Sequence, residues 1–342
     1  MALALIVTII AFGVMVILHE AGHFFTAKLF SVTVHEFSVG MGPLLASLKK
    51  GGTQYSLRAL PLGGYVKLEG EDDESDDPKA FSNISPLKRI VILAAGAFMN
   101  VLLGFLCFVI ILSASSGVYS NTVASVTEGS AAQMCGILPG DKITKIDSMS
   151  IGGRADIMLA LSEAGDKVSV TVKRDGQKIK FIASPTDESG RKVLGVVPTV
   201  ESITPVTVLK NACYNTRYVV RLVFYSLKML FTGKAGIRDL SGPVGIVKVA
   251  DQAASEAKET GGSVWITLLS LFAMISVNLG VFNLLPFPAL DGGSIIFAFV
   301  QLFSRKKLSQ NVLGYINFAG LVIILGLGII VMGSDVLHLF GK

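Results

Sequence analysis

Residues 2–23 read ALALIVTIIAFGVMVILHEAGH, in which Ala2 to Leu18 form an apolar run without a single Lys, Arg, Asp or Glu that leads straight into His19, Glu20 and His23. A run of that length approaches the roughly 18 residues that cross a bilayer as a helix. Ionisable groups are costly at the end of such a helix unless they have work to do there. Histidines four apart point to one side of a helix, so two imidazoles can reach one metal ion. A Glu beside the first of them can take the proton of an attacking water. The first element is therefore read as a membrane helix whose far end is a candidate metal centre. A cleaved signal peptide would remove it, but no positive n-region precedes the run and no small-residue cleavage site follows it.

Working outward, Ile90 to Leu112, Val264 to Leu285 and Val312 to Met332 are likewise free of charged residues. The whole chain of 342 residues is 51% hydrophobic and 16% charged, against roughly a quarter charged in soluble proteins. The expected architecture is a polytopic α-helical membrane protein with four transmembrane helices, a membrane-associated β-sheet and an inserted extracytosolic β-rich domain. A formal net charge of +5 comes without an aromatic-interleaved basic stripe, so no nucleic acid is expected as a partner. The cations fit the lipid bilayer instead. Eight Lys or Arg lie between Lys28 and Arg89, and Arg305, Lys306 and Lys307 link the last two apolar runs. The positive-inside rule turns both loops to the cytosol and both termini outward. The three cysteines, Cys107, Cys135 and Cys213, form no metal or disulfide signature.

The expected divisions are 1–30, the first helix; 31–89, a cytosolic or re-entrant β region with an acidic loop; and 90–112, the second helix. Then come 113–200, the β-rich domain, and 201–263, a linking region with a membrane-surface helix. The chain closes with 264–304, a broken third helix, 305–311, a cytosolic loop, and 312–334, the fourth helix. Within 31–89 the pieces Val32–Val39, Gln54–Leu60 and Tyr65–Leu68 read as short strands, with turns at Gly42-Pro43 and Gly63-Gly64. Glu69 to Asp77 reads as a solvated acidic loop. Asp175-Gly176 is a hairpin signal. From Thr207 to Phe231, basic and apolar residues alternate at helical spacing, which suits a helix lying on a membrane or packing on the outer domain.

Two histidines do not complete a catalytic zinc site, which usually has three protein ligands and one open position. Glu36, Glu69 and Asp291 are the candidate carboxylates. Asp291 stands in a segment broken by Pro286 and Pro288, with apolar helix on either side, and Gly292-Gly293 after it lets the backbone turn. A plain turn needs no carboxylate at that depth. At 1.5 Å per residue His19 lies about 27 Å along its helix, and Asn100 about 15 Å from the inner end of the second. His19, Asn100 and Asp291 can then meet at one level. Asn100, four residues after Gly96, reads either as an interhelical hydrogen-bonding group or as one that holds substrate or an oxyanion.

The joint pattern resembles the site-2 protease family of intramembrane zinc metalloproteases, and does so from end to end. It comprises H-E-x-x-H in the first span, Gly96-x-x-x-Asn100 in the second and Asn283-x-x-Pro-x-Pro-x-Leu-Asp-Gly292 in the third. Gly129 to Asp147 is similar to the PDZ signature of these enzymes, and Asp239 to Gly245 to a motif that follows it. The resemblance implies Zn2+ held by His19, His23 and Asp291, with Glu20 as catalytic base and Asn283 binding substrate. It also implies a re-entrant sheet within Val32 to Leu68 that presents an edge to substrate. The partners implied are single-pass membrane proteins such as an anti-sigma factor, already cut outside by a site-1 protease, in a bacterial cytoplasmic membrane. One PDZ-like domain stands where many relatives carry two, and Ala97 stands where the family often has Pro.

Overall fold

The computed structural model describes residues 2–71, 75–188, 190–236, 242–304 and 310–339. Arg305 to Lys307, Asp239 to Ser241 and the middle of the acidic run lie outside the described residues. Helix α1 (Ala2–Leu29) leads into strands β1 (Val34–Lys50) and β2 (Thr53–Leu68), then α2 (Pro86–Ser113). There follow β3 (Val118–Val126), α3 (Ala131–Cys135), β4 (Lys142–Ile146), β5 (Met149–Ser150) and α4 (Arg154–Ser162). Next are β6 (Val168–Arg174), β7 (Gln177–Ala183), β8 (Thr186–Glu188), β9 (Arg191–Val193) and β10 (Val196–Glu201). The last helices are α5 (Pro205–Phe231), α6 (Pro243–Glu259), α7 (Val264–Asn283), α8 (Asp291–Ser304) and α9 (Gln310–Leu339). The backbone forms two compact units, residues 1–104 with 223–342, and 105–222.

Ile6–Leu29, Pro86–Ser113, Val264–Asn283 and Asn311–Asp335 are long and apolar enough to cross a membrane. The protein is a multi-pass membrane protein. Lipid tails are as apolar as leucine, so such helices associate by close packing rather than by hiding apolar surface. Small residues make that packing possible. A Cβ on Gly22 of α1 would lie 2.4 Å from the Ala95 carbonyl oxygen of α2, and one on Gly280 of α7 would lie 2.7 Å from that of Ala97. Ser276 of α7 adds a hydrogen bond to the Asn100 carbonyl oxygen at 2.7 Å.

The β region differs from the expected short pieces. β1 and β2 are two long antiparallel strands that reverse at Gly51-Gly52, whose φ values of 59° and 80° suit a tight hairpin turn. Gly42 and Gly63, expected at turns, lie inside the strands with φ of 83° and 93°. They take up register shifts that bend the ribbon back on itself. Val34 to Val39 therefore pairs with Gly64 to Leu68 on one side and with Gln54 to Leu57 on the other. Phe24, Ala27, Val34, Leu68, Ile92 and Leu93 form a buried cluster that fastens this sheet to the ends of α1 and α2.

The second unit is a sheet of order β10-β3-β4-β6-β7, with β5 beside β4. Val123, Ile137, Ile143, Ile146, Val170 and Val172 belong to its core. Asp175-Gly176 turns β6 into β7 with φ of 48° and 85°. Arg174 grips the buried Asp141 through two hydrogen bonds of 2.7 Å and holds that carboxyl below the usual carboxylate range. Helix α4 carries a buried Asp156, which accepts from the Gly152 N–H (2.8 Å), Arg217 (2.7 Å) and Arg221 (2.8 Å). Two of the basic residues that suggested a membrane surface thus serve an internal carboxylate. Spacing on α5 alone does not distinguish these partners.

Candidate active site

His19 and His23 stand one turn apart on α1 and present Nε2 atoms 3.1 Å from each other. Asp291 is the first residue of α8, and its Oδ2 lies 3.2 Å from the His19 Nε2 and 3.5 Å from the His23 Nε2. These donors form the one group of His, Cys, Asp or Glu among the described residues that is close enough to share a metal ion. Asp291 Oδ2 is buried and has no aligned hydrogen-bond donor. A buried carboxylate oxygen without a proton partner is costly unless a cation satisfies it. The His23 Nδ1 lies 2.9 Å from the Ile92 carbonyl oxygen. A carbonyl only accepts, so Nδ1 carries the proton and Nε2 keeps its lone pair for the site. The residues fit a zinc ion: two imidazoles and one carboxylate make a known catalytic set.

The break that delivers Asp291 works differently from the sequence expectation. Neither Gly292 nor Gly293 has a positive φ; that conformation falls to Ala289, at 71°. The two glycines open the first turn of α8 and are needed for closeness. A Cβ on Gly292 would lie 2.1 Å from the Leu285 carbonyl oxygen, and one on Gly293 2.4 Å from that of Phe287. The proline-broken loop folds tightly onto the helix start and fixes the direction of the carboxylate.

Glu20 follows His19 on α1, in the electrostatic field of both histidines and Asp291, and the Val66 backbone N–H donates to its carboxylate. A Cβ on Gly64, two residues earlier in β2, would lie 3.4 Å from the Glu20 Cγ. The hairpin thus closes on the Glu20 side chain from one side. Glu36 is drawn away from the metal donors: it accepts from Arg58 at 2.9 Å. Glu69 accepts from Ser75 and is paired with His35.

Both candidate asparagines reach His19. Asn100 is fully buried, with Nδ2 3.3 Å from the His19 Nδ1. Asn283, the last residue of α7, has Nδ2 3.4 Å from each nitrogen of the same ring. Gly96 was legible as a packing residue, but its neighbours are the candidate ligands His19 and His23. A Cβ there would lie 2.3 Å from the His23 Nε2 and 2.8 Å from the His19 Cε1. Ile92 and Val66 were not legible, because they act through backbone groups that any residue can supply.

Gly96→Ala is a sharp test of this closeness. By helix propensity alone the change stabilises, by about 1 kcal/mol. Here the added methyl must displace one of the histidine rings. Zinc content and turnover are both expected to fall while the protein still inserts and elutes as wild type. Unaltered zinc binding would mean that the rings do not lie against α2 as described.

The sequence pattern described as peptidase family M50 matches residues 7–327 of this chain. A Clostridium acetobutylicum protein is 38% identical over 340 residues, covering 98% of this chain and 97% of its own. One from Clostridium perfringens is 40% identical over 337 residues, covering 97% and 98%. A Campylobacter jejuni protein is 31% identical over 353 residues, covering 98% and 94%. Each of the three carries the name of a zinc metalloprotease.

Proposed function

Since the chain belongs to peptidase family M50 and is a zinc metalloendopeptidase of the membrane, we propose that it cuts the transmembrane segments of single-pass proteins. His19, His23 and Asp291 hold the zinc. Zinc bound there supplies Lewis acidity, which polarises the scissile carbonyl and makes water a nucleophile near neutral pH. Glu20 takes the proton of the attacking water and passes it to the leaving amine. Asn283 helps hold the substrate beside His19.

The observation that carries this reading is the unsatisfied Asp291 Oδ2 facing two Nε2 atoms at the ends of apolar helices. A helical substrate has its carbonyls occupied and must unwind before it is attacked. The Gly64 to Leu68 stretch of β2 supports a route for that. It runs past Glu20, and an extended segment can pair with such an edge as an added strand. The protein purified in detergent should carry about one zinc per chain, as a three-ligand site implies. A chelator should stop its cleavage of a transmembrane peptide, and zinc should restore it. Cleavage that persists with the metal stripped would end the proposal.

The finer reading follows the family resemblance. The substrate is of the anti-sigma-factor type, shortened outside by a site-1 protease, in a bacterial cytoplasmic membrane. Both termini and the β-rich domain are extracytosolic, and the metal centre lies toward the cytosolic side. The domain of 113–200 is PDZ-like; a main sheet with the short helices α3 and α4, beside the small β8-β9 hairpin, is compatible with that. It governs which substrates enter rather than how fast a bound one is cut. Deleting it should allow cleavage of full-length substrates if it excludes large outer domains. If it is instead a receptor for a trimmed C-terminus, deletion should slow cleavage of trimmed ones. Equal expression with neither substrate affected would remove any gating role.

A further inference from the structure

The His19 Nε2 faces the metal donors, so metal binding through it requires its lone pair there and the ring proton on Nδ1. His19 is buried, and a buried N–H needs an acceptor. Two amides are in range. Asn283 is equally distant from both ring nitrogens and in line with neither. Asn100 approaches Nδ1 alone, at 3.3 Å, and its own Oδ1 is buried without a partner. An amide N–H turned toward the Nδ1 proton would leave two donors opposed and one acceptor orphaned. A half-turn of the amide, whose oxygen and nitrogen are nearly the same size, brings the unpartnered oxygen to that proton and removes the opposition of donors.

The neighbouring ligand has the same arrangement. His23 donates from Nδ1 to the Ile92 carbonyl oxygen at 2.9 Å. Ile92, Gly96 and Asn100 stand one turn apart on a single face of α2. That face offers an acceptor, a gap into which both rings fit, and a second acceptor.

We infer that Asn100 is a positioning residue whose side-chain carbonyl accepts the His19 Nδ1 proton, so that α2 fixes the orientation of both metal-binding imidazoles. The inference rests on His19, His23 and Asp291 being the ligands. It gives Asn100 a task distinct from contact with substrate or oxyanion, and it makes a prediction about metal retention that needs no substrate.

The test uses the full-length protein in detergent, loaded with zinc and then challenged with a chelator, as wild type, Asn100→Asp, Asn100→Leu and Asn283→Leu. Aspartate keeps the acceptor and lacks the amide N–H; leucine keeps the volume and has neither. Asn100→Leu should lose zinc roughly 10–100-fold faster, the usual effect of removing a partner behind a ligand. Asn100→Asp and Asn283→Leu should stay close to wild type. With Co2+ in place of zinc, the visible absorption bands should move in Asn100→Leu and hold in Asn100→Asp. Zinc loss from Asn100→Leu at the wild-type rate would overturn the inference. So would an Asn100→Asp protein as leaky as Asn100→Leu, since the amide N–H would then be the working group. If the leucine variant fails to fold, the aspartate variant decides alone: retention near wild type supports the inference, and rapid loss overturns it. A wild type that binds no zinc would overturn the ligand assignment together with this inference, whereas a zinc-retaining wild type with indifferent Asn100 variants overturns this inference only.

Discussion

Glu20→Gln is expected to stop proteolysis while zinc stays bound. Glutamine has the shape of glutamate and its carbonyl can still accept the Val66 N–H, so the side chain keeps its place. What it loses is the ability to take a proton. General bases contribute about 100- to 10,000-fold to such reactions, so turnover should fall by at least the lower figure. The atoms placed to hold the metal belong to His19, His23 and Asp291, and none is altered. Cleavage of a labelled transmembrane peptide, measured beside the zinc content of the same preparation, checks both halves. Turnover near wild type would remove Glu20 as the base. Loss of zinc along with activity would make it a ligand instead.

Asp291→Ala should behave in the opposite way, losing metal first and activity as a consequence. The substitution removes the one anionic donor and leaves two imidazoles whose Nε2 atoms lie 3.1 Å apart. Removing a group behind a ligand weakens metal binding by about 10–100-fold; removing the ligand itself should exceed that. Neither of the other two carboxylates that the sequence offered as third ligand is free to replace it, because Glu36 is committed to Arg58 and Glu69 to His35 and Ser75. Chelator competition on the purified variant gives the affinity. Full zinc occupancy with unchanged turnover would mean that the third ligand lies elsewhere.

The site was readable where its chemistry depends on local spacing. Two histidines four apart at the end of an uncharged helix declare themselves, and a carboxylate behind a proline break at membrane depth stands out on cost alone. Contacts made by the backbone were not readable. The Ile92 carbonyl and the Val66 N–H leave no mark on the choice of residue. Glycine misled in two ways. Gly42 and Gly63 read as turn residues in the sequence but absorb bulges, and Gly292-Gly293 serve close packing rather than a change of direction. Both uses draw on the same missing Cβ, so the residue type does not separate them. Helix α4 went unread because it is short, and its meaning lies in Asp156. That residue's partners, Arg217 and Arg221, are about 60 residues away in sequence.

The candidate ligands come from α1 and from the start of α8, and that separation has a bearing on biosynthesis. A ribosome delivers His19, Glu20 and His23 to the membrane early and Asp291 only after about 270 further residues. At 5–20 residues per second the interval is roughly 15–55 s. During it the nascent chain holds an H-E-x-x-H helix beside other membrane proteins without the carboxylate that completes the centre. If the proposed function holds, a protease of membrane helices thereby lacks one of its three metal-binding groups until its own synthesis is nearly finished.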